Sequence, residues 1–76
     1  HQEEDSNFLF ILAFCYQHGC GVEKNPDLAI YYYSLASEKG NANGQTELGS
    51  CYLEGEGVEK DLKGGIELIR KAAQTG

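Results

Sequence analysis

The sequence predicts an all-α fold: a short α/α superhelix, or solenoid, of two helix-turn-helix units with four helices in all. Three observations carry that prediction. The stretch CYQHGCGVEK, from Cys15 to Lys24, recurs as CYLEGEGVEK, from Cys51 to Lys60, at an offset of 36 residues. The same register relates Asn7 to Asn43, Leu12 to Leu48, Ile30 to Ile66, Ala36 to Ala72 and Gly40 to Gly76, without a gap. A period in the mid-thirties is that of stacked helix pairs. Within each unit, apolar residues recur at helical spacing and end at glycine. No run of alternating β-branched residues offers a strand.

The elements follow in order. Residues 1–4 are polar and are expected to fray. Asp5 or Ser6 is the expected cap of the first helix, which then runs to about His18. Leu9, Leu12, Ala13 and Tyr16 have the spacing of one buried face. Gly19 ends the helix in the left-handed conformation, and Val22, apolar between polar stretches, is expected to fold back into the core. Asn25-Pro26 starts the second helix, with Asn25 as cap and proline where its missing N–H costs nothing. Asp27 adds negative charge where the helix dipole favours it. Ala29, Tyr32, Tyr33 and Ala36 make its inner face, and Gly40 stops it.

The second unit, 41–76, repeats the plan of the first, 5–40. Asn41 is the expected cap of a third helix carrying Leu48, Gly49 and Tyr52. Gly49 and its equivalent Ala13 are small, which allows two helix backbones to approach closely. Gly55 and Gly57 make the turn, Val58 plugs it, and Asp61 caps a fourth helix. Ile66, Leu68, Ile69, Ala72 and Ala73 are assigned to its inner side. Gly64-Gly65 is the expected weak place, since two glycines in a helix cost roughly 1.6–2 kcal/mol relative to alanine.

Composition narrows the function. The net charge is −6 and the pI near 4.7, which disfavours nucleic acid or anionic membrane as partner. The longest apolar run, Phe8 to Cys15, is far below the ~20 residues of a spanning helix, so no membrane insertion is expected. Three cysteines make neither a disulfide framework nor a zinc site with its CxxC pairs. Cys15 and Cys51 repeat as packing residues do, while Cys20 stands alone in a loop opposite Glu56. Reduced thiols fit a cytoplasmic setting, with the endoplasmic-reticulum lumen left open. A chain that starts at His1 and stops where its second unit stops reads as a piece of a longer array.

No catalytic constellation stands out. His1 and His18 are the two histidines, and His18 suits the negative end of the first helix. Gly19-Cys20-Gly21 and Gly55-Glu56-Gly57 lack the Lys-Ser/Thr of a phosphate loop and have acidic surroundings. No cofactor or metal is expected, and the chain reads as a non-enzyme.

The motif Leu48-Gly49-x-x-Tyr52-x-x-Gly55-x-Gly57-Val58-x-x-Asp61, followed by Ala72-Ala73-x-x-Gly76, resembles the Sel-one-like repeat, a relative of the tetratricopeptide repeat. The first unit is similar through Leu12, Ala13, Tyr16, Gly19, Gly21, Val22, Asn25, Ala29, Tyr32, Tyr33, Ala36 and Gly40. Departures are Asn25 for the usual Asp, Ala13 for Gly, and Gly64-Gly65 for a Lys-Ala pair. The resemblance implies a non-catalytic protein–protein interaction module, a scaffold or adaptor. Such repeats occur in endoplasmic-reticulum degradation complexes, chitin-synthase activators, bacterial signalling proteins and fungal arrays attached to kinase-like domains. A regulatory segment of a kinase-like signalling protein, or a purely structural spacer, is therefore the competing reading.

The related tetratricopeptide architecture implies a concave groove lined by first helices. Candidate partner-binding residues are Asn7, Phe10, Phe14, Gln17 and His18 on the first helix. Their equivalents are Asn43, Thr46, Ser50, Leu53 and Glu54 on the third. Asn7 and Asn43 either engage a peptide backbone through their carboxamides or favour helix starts; both readings stand. The first helix is apolar all round from Phe8 to Phe14, where the third has Gly44, Gln45, Thr46 and Glu47. Either Phe8 and Ile11 pack on a preceding repeat, or that face binds a ligand or a second copy, and self-association through it is expected.

Overall fold

The computed structural model describes residues 2–75, and the side chains of residues 6–74. Four helices follow one another: α1 (Gln2–His18), α2 (Pro26–Glu38), α3 (Ala42–Glu54) and α4 (Leu62–Thr75). No strand occurs among the described residues. Packing runs in sequence, α1 on α2, α2 on α3 and α3 on α4, in a flat body of 32 × 31 × 13 Å. The fold is the all-α solenoid of two helix pairs that the repeat implies.

Local chemistry places the helix ends. Asn25 caps α2 by accepting the Leu28 N–H at 3.2 Å, Asn41 caps α3 by accepting that of Gly44 at 2.8 Å, and Asp61 accepts that of Gly64 at 3.0 Å. The two loops between paired helices close identically. The N–H groups of Gly19 and Cys20 both donate to the Cys15 carbonyl, as those of Gly55 and Glu56 do to Cys51. Asn25 then donates to Tyr16, and Asp61 to Tyr52. Gly21 and Gly57 sit at φ 77° and 75°, where a β-carbon is strained. The expected cap at Asp5 or Ser6 is corrected: α1 already runs through residues 2–5, and Ser6 is buried within it. Its hydroxyl accepts from the Asn41 side chain at 3.2 Å, a tertiary bond in place of a capping one.

Ala13, Ala29, Tyr33, Leu48 and Cys51 form the core, with Phe10, Tyr16, Ile30, Tyr32, Tyr52 and Leu68 packed around it. Tyr16 stacks on Tyr32 with ring centroids 5.9 Å apart and planes within 8°. Of the two equivalent cysteines, Cys51 is buried and Cys15 half-buried, whereas Cys20 is exposed; all three thiols are free.

Two assignments from sequence change. On α4, Ile66 and Ala73 face outward, and the buried stripe is Gly65, Leu68, Ile69 and Ala72, with Leu68 and Ile69 half-buried. The cause is a backbone contact between α3 and α4. A β-carbon on Gly49 would lie 2.8 Å from the Gly65 carbonyl oxygen, and one on Gly65 would lie 2.7 Å from that of Gly49. Gly65, expected to be a weakness, is the residue that lets the helices meet, and meeting there turns Ile66 to solvent. Val22 is also exposed, while Val58 is half-buried. The second loop rests on α2, where Gly57 abuts the Pro26 carbonyl and Ile30; the first loop has nothing within 4 Å of the equivalent point on Gly21.

Candidate interaction surface

The seam between α1 and α3 is tied at both ends by polar side chains. At one end the Asn41 side chain donates to Ser6 and to the Asn7 carbonyl oxygen, at 3.2 and 2.9 Å. At the other, buried Gln17 accepts the Tyr33 hydroxyl at 2.5 Å and donates to Glu56 at 3.2 Å and toward the Cys51 sulfur at 3.6 Å. Gln17 thereby joins the first unit to the second. Its placement among the open-face residues is corrected: it is 8% exposed and all its polar capacity is turned inward. Leu53, its equivalent on α3, is half-buried, like Phe10 and Ser50. Its side chain packs over Gly65, with Cδ2 2.8 Å from where a β-carbon there would stand.

The other sequence candidates sort by helix. On α1, Phe10, Phe14 and His18 form an aromatic row, with centroid separations of 6.3 and 4.2 Å. Phe10 also lies 6.0 Å from Tyr33, which roots the row in the core. Phe14 and His18 are exposed and Phe10 is half-buried. On α3, Asn43, Thr46 and Glu54 are exposed and Ser50 is half-buried. Asn7 is exposed but engaged with Asn41.

Electrostatics around the seam are acidic. Burial, followed by the charge of Glu47, pushes the Tyr33 hydroxyl above its ordinary range. Burial, followed by the carboxylates of Glu56, Glu47 and Glu54, pushes the Cys51 thiol up to about 11. A thiol held protonated at neutral pH is a poor nucleophile and a poor metal ligand. Among the described residues no group of three or more His, Cys, Asp or Glu could hold a metal ion. Among the described residues no helix is long and apolar enough to cross a membrane.

Sequence reasoning missed the Gln17–Tyr33–Glu56 and Ser6–Asn41 bridges. A signal existed in the register. Gln17, Tyr33 and Ser6 stand opposite Leu53, Ile69 and Ala42 one period later. Gln17 and Ser6, polar where the other copy is apolar, make contacts between copies, and Tyr33 completes the Gln17 network from within its own copy.

Helix pairs in file, tied across a seam and carrying exposed side chains along their first helices, define a tetratricopeptide-like solenoid, a protein-binding scaffold class. Within it, this chain belongs to the Sel1 repeat family, whose model matches residues 6–41 and 42–76. Among solved structures it is similar to a Sel1 repeat protein from Oxalobacter formigenes, with 33% identity and a TM-score of 0.90 over 95% of this chain. It is also similar to cysteine-rich protein B of Helicobacter pylori, with 31% identity and a TM-score of 0.88 over 93% of this chain. The chain spans 30% of the first of these proteins and 53% of the second. Sel1 repeats are protein-interaction modules and generally non-catalytic.

Proposed function

We propose that this chain serves as a scaffold or adaptor segment of a larger repeat protein, and that it holds a protein or peptide along the α1–α3 face. The contact residues are Phe10, Phe14 and His18 with Asn7 on α1, and Asn43, Thr46, Ser50 and Glu54 on α3. The observation that carries this reading is the aromatic row of α1, exposed at Phe14 and His18 yet anchored through Phe10 to Tyr33. Rigid aromatic groups on a fixed frame bind at low entropic cost. The test is a photo-crosslinking residue at position 14, compared with one at Tyr31 on the outer face of α2, in cells that express the parent protein. A partner should crosslink from position 14, and its binding to the purified chain should weaken tenfold or more with Phe14→Ser. Crosslinks equally frequent from position 31, or affinity unmoved by Phe14→Ser, would overturn the assignment.

A second reading rests on Phe8 and Ile11, which are 63% and 56% exposed. Two large apolar side chains on one helix give a drive toward self-association through α1.

A further inference from the structure

The junction between α2 and α3 shows what one helix pair needs in order to receive the next. A β-carbon on Gly44 would lie 2.9 Å from the Ala36 β-carbon, so the backbones touch there and tolerate no side chain. Beside that contact the Gln45 side chain donates to the Ser37 carbonyl at 3.3 Å. Further along, Gly57 rests on the Pro26 carbonyl and Ile30.

One period later the receiving side is still present. Ala36 becomes Ala72, and Ile30 becomes Ile66. Ile30 is half-buried beneath the second loop, whereas Ile66 is 50% exposed and Leu62, in the place of Pro26, 55% exposed. One period earlier the inserting side is not preserved. Gly44 becomes Phe8. A phenyl ring stands on the helix where the seated helix must present bare backbone.

We propose that Phe8 gives the stack a polarity. The α4 face receives the first helix of another helix pair that carries glycine at the Gly44 position, and α1 of a second copy of this chain is refused that seat. This surface is distinct from the α1–α3 face. It keeps the alanine and isoleucine of a junction already made once within the molecule, with Leu62 and Ala73 in place of Pro26 and Ser37. Self-association through α1, where it occurs, uses some other register than the internal one.

The test titrates unlabelled chain into wild-type chain labelled at its isoleucine methyl groups. Phe8 is mostly exposed, so replacing it removes no core contact, and circular dichroism checks that each variant keeps its helices. Unlabelled Phe8→Gly should shift the Ile66 methyl resonance in a saturable way and leave that of Ile30, inside the occupied junction, unmoved. Unlabelled wild type should leave Ile66 in place. So should Phe8→Ala, which loses the same aromatic surface but keeps the β-carbon. The double variant Phe8→Gly/Ile11→Glu, carrying both residues that α3 uses at these places, should act as Phe8→Gly does. Shifts of Ile66 with wild type or Phe8→Ala as large as with Phe8→Gly overturn the proposal, as does a folded Phe8→Gly chain that leaves Ile66 unmoved.

Discussion

Replacing Gln17 with leucine, the residue that α3 carries in the equivalent place, tests whether the buried amide is what satisfies the buried Tyr33 hydroxyl. The Tyr33 hydroxyl donates to Gln17 and the whole Tyr33 side chain is buried. With leucine at 17, that hydroxyl keeps no acceptor. A buried polar group left without its partner costs about 1–3 kcal/mol, and complete burial argues for the middle of that range, ~2 kcal/mol. Glu56 loses its Gln17 bond too, but it is half-buried and meets water and the Lys24 ammonium 4.0 Å away, so its loss adds little. In a domain this small, ~2 kcal/mol lowers the melting temperature by roughly 8–16 °C. The companion change Tyr33→Phe removes the stranded hydroxyl. Removing both polar partners is close to neutral, so the double variant Gln17→Leu/Tyr33→Phe should return to within ~1 kcal/mol of wild type. Thermal and urea unfolding of the four chains complete the cycle. A double variant destabilised by the sum of the two single changes would mean that the hydroxyl and the amide are not coupled, and the reasoning would be refuted.

Other outcomes follow from the same geometry. Both Gly21→Ala and Gly57→Ala meet positive-φ strain of about 1–2 kcal/mol, but Gly57→Ala should cost more in thermal melts, because its β-carbon would lie 2.7 Å from the Pro26 carbonyl oxygen. Gly49→Ala gains helix propensity of about 1 kcal/mol yet forces α3 off α4 against a backbone oxygen at 2.8 Å, so denaturant unfolding should show a net loss. Thiol titration at pH 8 should modify exposed Cys20 readily and leave Cys51 to react only on unfolding. Cys51 is raised from 9.0 to about 11 in the folded chain, so above pH 9 the unfolded chain gives up this proton first. Stability from Cys51 is therefore full below pH 9 and falls from there toward pH 11, a slope that Cys51→Ala should reduce in melts across that range. Sedimentation at high micromolar concentration should show wild type self-associating, and Phe8→Gln/Ile11→Glu monomeric with its helicity kept.

What the sequence revealed was local, and what it concealed was relational. Asn25, Asn41, Asp61 and the glycine stops act on backbone groups within a few residues, so residue type and position suffice to place them. The phase of α4 is another matter. Ile66 and Ala73 look like core residues by hydrophobicity, but the rotation of the helix is set by the Gly49–Gly65 contact, and glycine adds no apolar signal. Val22 lies in an exposed loop, whereas the loop that carries half-buried Val58 rests through Gly57 on α2 of the first unit. Among the candidate contact residues, Phe10, Phe14 and His18 stand four apart on α1, and the structure brings their rings together. Gln17 stands among them by its helix position off the core face, yet its amide satisfies a buried tyrosine. Ser6 misled in the same way, read as a cap when its hydroxyl serves a neighbouring unit.

The sequential packing of α1 on α2, α2 on α3 and α3 on α4 has a consequence for how the chain comes apart. A globule closes its core in three dimensions, so that losing one element strips every other. Here stability approximates a sum of helix terms and nearest-neighbour couplings along a line. α4 holds one such coupling, to α3, whereas α1 is joined to α2 and, through Ser6, Asn7 and Gln17, also to the second unit. Amide exchange should thus be slowest in α2 and α3 and fastest in α4, which can open while α1–α3 stay folded. The molecule is better pictured as a short zipper than as a drop.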